Sequence, residues 1–205
     1  GNPTQNEIAT NGETTVGIME AQIDPSNISY EVPLYVTVAV IKNQTDVKAP
    51  TNYGITNTSP EDAVEKRAYD IAVTAMTFQK LATGTWDAVG TGANPTQQKE
   101  ISLKIGGVDM PSTKGGTTPL FVDITKGASF YNTATSKFKR ITVGETLSLP
   151  IEGTVANMAR TDTAAAPQFK IKYTVSAVAA NGDILGNVYA GDNSVAAGFG
   201  TWTDD

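Results

Sequence analysis

One run constrains this chain more than any other: Ile28-Ser29-Tyr30-Glu31-Val32-Pro33-Leu34-Tyr35-Val36-Thr37-Val38-Ala39-Val40-Ile41. Ile28, Tyr30, Val32, Leu34, Val36, Val38 and Val40 alternate with small or polar residues. A period of two over this length, rich in β-branched residues, predicts a half-buried strand. Pro33 has no N–H to give to a ladder, so the strand is expected to meet an edge or a bulge there.

Shorter segments repeat this grammar. Thr14–Ile23 predicts a strand with Val16 and Ile18 on one face, followed by a turn at Asp24-Pro25-Ser26-Asn27. Further strands are expected within 48–57, 69–78, 85–89, 99–105, 120–124, 147–155, 169–178, 184–189 and 198–202. Asn181-Gly182 predicts a hairpin turn. Ser59-Pro60-Glu61-Asp62 reads as a helix start, with Ser as cap, Pro at the first helical position and acids in the first turn; the helix is expected over 60–67. Residues 90–116, with Gly90, Gly92, Gly106, Gly107, Gly115 and Gly116, read as the loopiest part of the chain. No repeat of 20–50 residues is present, which disfavours a solenoid or propeller.

Nine or more short strands between Gly, Pro, Asn and Ser turns, in a chain of 205 residues, predict one all-β domain. Its architecture is expected to be a jelly-roll or immunoglobulin-like β-sandwich with that one short helix. Residues 1–13 are polar and turn-prone, with Asn11-Gly12 among them, and read as a flexible arm; residues 14–205 form the domain.

Composition narrows the chemistry. The chain has no cysteine and no histidine. That removes disulfides, thiolate nucleophiles, cysteine–zinc sites, the usual general base and the commonest metal ligand. Neither a Ser-His-Asp triad nor an HExxH zinc site can be assembled, so we expect no enzyme, no catalytic residue, no cofactor and no metal. The net charge is −6, and the nearest basic cluster is Lys137, Lys139 and Arg140, so a nucleic-acid partner is not expected. No stretch approaches the ~20 apolar residues of a membrane-spanning helix. Charged residues make up only 18% of the chain, against about 25% in ordinary globular proteins, and Thr, Asn, Gln, Ser and Gly take their place. Such surfaces suit extracellular β-proteins. A start at Gly1-Asn2-Pro3-Thr4, without methionine, is expected of a mature chain exported through a removed signal peptide, and equally of a trimmed one.

Several motifs dissolve on inspection. Asn27-Ile28-Ser29, Asn43-Gln44-Thr45 and Asn57-Thr58-Ser59 have the form of glycosylation sequons, at a frequency this Asn-, Thr- and Ser-rich sequence produces by chance. Gly191-Asp192-Asn193-Ser194 is the best local calcium candidate, yet it lacks the D-x-[DN]-x-[DN]-G spacing and reads as a turn. Gly90-Thr91-Gly92-Ala93-Asn94-Pro95 lacks the Lys-Ser/Thr that a phosphate loop requires. Trp86 and Trp202 sit on short strands and are expected to pack rather than to stack on sugars.

What remains is the N-terminal segment. A loose arm and a short strand, on an all-β domain with an edge proline, suit β-strand addition between subunits. Val16, Ile18 and Ile23 are the candidate donor residues within 14–23. Head-to-tail joining of this kind makes open filaments. The plainer alternative is that Val16 and Ile18 pair within their own domain.

The Ile28–Val40 run, the following Ala49-Pro50-Thr51-Asn52-Tyr53-Gly54-Ile55-Thr56-Asn57-Thr58-Ser59, the strand Thr85-Trp86-Asp87 and the turn Val143-Gly144-Glu145-Thr146-Leu147 together resemble a family. They are similar to the secreted TasA and camelysin-like fibre subunits of Gram-positive biofilm matrices, over about half the chain. The resemblance implies a jelly-roll sandwich, export, and polymerisation into matrix fibres or pili by donor-strand exchange. It brings no catalytic residue. A structural filament subunit is therefore the leading expectation, with the chain itself as partner. A monomeric carbohydrate-binding or adhesin module, contacting polysaccharide or a cell surface, is the alternative; a viral jelly-roll capsid or tail protein comes third.

Overall fold

The computed structural model describes residues 14–19, 28–61, 68–161, 163–185 and 189–202, the first and last of these as backbone. The predicted arm, Ile23 and most of the predicted helix lie outside the described residues. The fold is all-β, as the sequence predicts.

The first layer is a mixed sheet in the order β3 (Tyr35–Ile41), β15 (Tyr189–Trp202), β14 (Ala166–Val178), β5 (Asp70–Lys80) and β9 (Leu120–Val122). A further strand, β1 (Thr14–Met19), also pairs with β15. The second layer joins two small sheets. One is β2 (Tyr30–Glu31), β4 (Gly54–Asn57) and β12 (Thr146–Ser148). The other is β13 (Ile151–Val155), β7 (Glu100–Ile105) and β6 (Asp87–Ala88), with β8 (Val108–Asp109) also on β7. Between β12 and β13, the Leu149 N–H donates to Tyr53 O at 2.9 Å and the Gly106 N–H donates to Pro150 O at 2.9 Å. Residues 146–155 thus carry β4 on one edge and β7 on the other. A small hairpin of β10 (Tyr131–Asn132) and β11 (Lys137–Phe138) forms a ladder of its own, with Tyr131 and Phe138 packed against the core.

The long alternating run folds as two strands rather than one. Pro33 interrupts the ladder, and the chain crosses there from β2 in the second layer to β3 in the first. Alternation survives the crossing because Tyr30, Val32, Val36, Val38 and Val40 all face the same core from its two sides. A second irregularity is visible as a change of parity. In β5 the buried residues Ile71 and Val73 give way to Met76 and Phe78. Opposite them, Val175 pairs with Val73 and Thr174 with Ala75, so Thr74 is an extra residue in a β-bulge. The core is one cluster drawing Phe78, Phe169, Ile171 and Tyr173 from the first layer and Ile55, Ile101, Leu103 and Leu147 from the second.

One expectation is corrected. Ile184–Tyr189 and Gly198–Trp202 are predicted as separate strands around a turn at Gly191-Asp192-Asn193-Ser194. Instead, Ile184 makes a single bridge to Val178, and 189–202 is one continuous strand through the supposed turn. Hydrogen bonding along both edges holds the backbone extended and overrides local turn propensity.

Candidate assembly site

The position of β15 defines the site. It runs antiparallel to β14, from Ala166↔Phe199 to Thr174↔Asp192, and parallel to β3, from Tyr35↔Ala196 to Ile41↔Trp202. Ala196 has Lys170 on one side and Tyr35 on the other, so β15 stands between the two strands. On its other edge β3 makes one bridge: the Ala39 N–H donates to Lys48 O at 2.7 Å, and the Lys48 N–H donates to Ala39 O at 2.9 Å. The far edge of β14 is taken by β5. β14 pairs with residues 192–199 of β15 and β3 with 196–202, so apart from β15 the two strands border a staggered groove one strand wide, two-sided over 196–199.

That groove has an apolar floor. Val36, Val38 and Val40 line it from β3, and Phe169, Ile171 and Tyr173 from β14, each 3% exposed or less. Tyr173 is fixed from below by a 2.7 Å hydrogen bond between its hydroxyl and that of Tyr53, and burial pushes both phenols above their ordinary pKa, keeping them neutral. The Phe169 ring stacks on Phe78 with centroids 4.8 Å apart.

The turn that leaves β14 is tied down. The Arg140 guanidinium donates to Ala179 O at 3.0 Å and Ala180 O at 2.8 Å, and pairs with Asp70 at 3.3 Å. Lys137 pairs with Asp183, and this contact, with the Asn181 amide, holds the Asp183 carboxyl below its ordinary pKa. Gly182, at φ +90°, makes the predicted turn. Beyond it the register breaks. Val178 faces Ile184, but Thr174 faces Asp192, so the chain advances eight residues on one side for four on the other.

The predicted donor residues fall beside this site. Val16 and Ile18 lie in β1, whose partner is the first part of β15, with Ile18 opposite Ala190 and a register irregularity between Thr15 and Ile18. Asn193 has Thr14 on one side and Tyr173 on the other, so β1 shares with β3 the edge of β15 that faces away from β14. Of β15 only the end, 198–202, is predicted as strand from the sequence; the stretch before it reads as a turn at Gly191-Asp192-Asn193-Ser194.

The other motifs resolve structurally. Asn57 is fully buried: its amide donates to Tyr69 O and Ile141 O, both at 2.9 Å, and its carbonyl accepts from the Ser59 N–H at 2.9 Å. This sequon is a staple between β4, β5 and residue 141, inaccessible to a glycan. Asn43 is exposed in a turn at φ +59°, and Asn27 lies outside the described residues. Ser59, expected as a helix cap, uses its hydroxyl to donate to Ser29 O at 3.2 Å and accept from the Ser29 N–H at 3.0 Å. Trp86 is buried, with the Arg160 guanidinium 5.7 Å from its ring centroid.

Carboxylates with shifted pKa cap their own loops. Glu100 is held down to about 2 by Lys114 and by donors from Thr96 and Gln97. Asp123 and Glu145 are likewise lowered by Thr125 and Thr142. A cleft of about 460 Å3 over β7 and β13 is lined by Asp46, Ser102, Lys104, Asp109, Glu152 and Thr154, among others, with no aromatic ring on which a sugar could stack. Among the described residues, no group of three or more acidic side chains is placed to hold a metal ion. Nor is any described helix long and apolar enough to cross a membrane. No protein-family model matches the chain, and no curated protein matches it significantly.

Proposed function

We propose that this chain is a structural subunit of an extracellular filament, of the pilus or biofilm-matrix kind, that joins to copies of itself by β-strand addition. The observation that carries this reading is the staggered one-strand groove between β3 and β14, apolar along its floor and occupied by a strand that pairs with β14 over 192–199 and with β3 over 196–202. A strand held this way is what one subunit can supply to the next, with affinity from backbone hydrogen bonds and specificity from the residues facing the floor. Because donor and groove are different surfaces, joining is head-to-tail and open-ended. The absence of histidine and cysteine and the low charge fit a passive structural role outside the cell.

Negative-stain microscopy of the purified chain over a concentration series tests the reading. Fibres of uniform width that grow with concentration are expected. A monodisperse monomer at every concentration would overturn it and favour a monomeric adhesin or carbohydrate-binding module, to be followed by polysaccharide pull-down.

A further inference from the structure

The geometry points to β15 as the exchanged strand: in the assembled state, residues 189–202 of one copy occupy the β3–β14 groove of the next. This rests on the assembly reading above and adds to it the identity of the donor.

Four observations converge. The groove is bordered by β14, whose other edge is paired with β5, and by β3, whose other edge is bridged at Ala39, and β15 is the described strand that pairs with both. Its occupant has little reason of its own to be a strand. Tyr189–Trp202 includes Gly191, Asp192, Asn193, Gly198 and Gly200, residue types that disfavour extended pairing. Its order comes from the ladders on either side. The turn at 179–183 is anchored by Arg140 and Lys137, whereas the register slips by four residues between Ile184 and Asp192. A firm exit followed by extra chain length lets the downstream strand leave without disturbing β14. Finally, the pairs made with a neighbour's β14 and β3 are the same pairs made at home. Exchange of identical elements therefore leaves the ladder energy nearly unchanged, the low-cost route to association. An empty groove is not a stable alternative, since it would expose the buried Val36, Val38, Phe169 and Ile171.

In this arrangement β1 is not the donor. It pairs along the edge of whichever β15 fills its own copy's groove.

The chain has no cysteine, so a single introduced pair reports without background. Lys172 and Ser194 are direct cross-strand partners. The full chain carrying Lys172→Cys and Ser194→Cys is assembled under reduction, oxidised in the fibre, and separated in denaturant without reductant. A ladder of covalent multimers is expected. Oxidation before assembly closes the same bond within one chain and should abolish fibre formation until reductant is added. Fibres that yield only single-chain bands would show that β15 stays at home, overturning its role as donor while leaving the filament reading intact. Monomers under every condition would overturn both. Should this pair prevent folding, Lys170→Cys with Ala196→Cys, one step along the same face, serves as the second reporter.

Discussion

β14 and β15 are hydrogen-bonded neighbours of nearly equal length, 13 and 14 residues, and they are strands for opposite reasons. β14 alternates Phe169, Ile171, Tyr173 and Val175 toward the core, all essentially without solvent exposure, against Lys170, Lys172 and Thr174. Those residues prefer a pleated, half-buried surface wherever they are placed. β15 has glycines, Asp192 and Asn193 where β14 has bulk, and it is extended because two ladders hold it. Pairing can stand in for propensity, but a strand made that way belongs to its groove rather than to its own sequence.

The comparison breaks most sharply under proline. Ile171 and Val195 are register partners, so Ile171→Pro and Val195→Pro remove a ladder donor at the same level of the sheet. Ile171→Pro is expected to abolish folding, read as loss of the near-ultraviolet dichroism of the core tyrosines. Val195→Pro, on the strand held by pairing rather than by propensity, should lose less of that signal and should lose fibres. Equal damage from both would erase the distinction drawn here.

Next in size is the floor of the groove. Phe169→Ala removes a fully buried ring stacked on Phe78 and should cost about 3–5 kcal/mol in denaturant unfolding. The staple at Asn57 comes third. Asn57→Ala removes the amide donors to Tyr69 O and Ile141 O and the acceptor of the buried Ser59 N–H, and should cost about 1–3 kcal/mol, whereas a glycan-processing readout should not change.

The smallest effect concerns pH. Glu100 has its pKa lowered from 4.5 to about 2, so its contribution to stability is complete above pH 4.5 and lost as pH falls toward 2. Acid should therefore loosen residues 96–100 before the core, seen as faster amide exchange at Thr96 and Gln97, and Glu100→Gln should remove this local pH dependence. Exchange at Ile171 over the same range should stay slow.

The layers of the sandwich were readable because hydrophobic periodicity reports burial directly: β3, β5, β7 and β14 all lie within predicted segments or overlap them. What periodicity could not convey was where one alternating run changes sheets. Pro33 marked the break, but alternation continues across it, since both halves face one core. Pro150 likewise separates β12 from β13 inside a segment read as one strand. At the candidate site, Val16 and Ile18 lie in β1 beside β15, and of β15 only the end, 198–202, reads as strand in the sequence. Its turn-forming Gly191-Asp192-Asn193-Ser194 is overruled by long-range pairing, which no local window contains. The role of Asn57 was out of reach for a related reason: a sequon specifies three residues, and the groups it staples, Tyr69 O and Ile141 O, lie outside it.

The directions of the two ladders around β15 have a mechanical consequence. Antiparallel bonds to β14 lie across the strand axis, and the slanted parallel bonds to β3 flank it on the other side. Tension drawn along β15 therefore acts on both rows in shear. All the bonds must yield together, whereas a sideways tug would open them one at a time. A fibre joined through this strand would be stiff and tenacious along its length and comparatively easy to peel from its flank, with no covalent crosslink needed for that anisotropy.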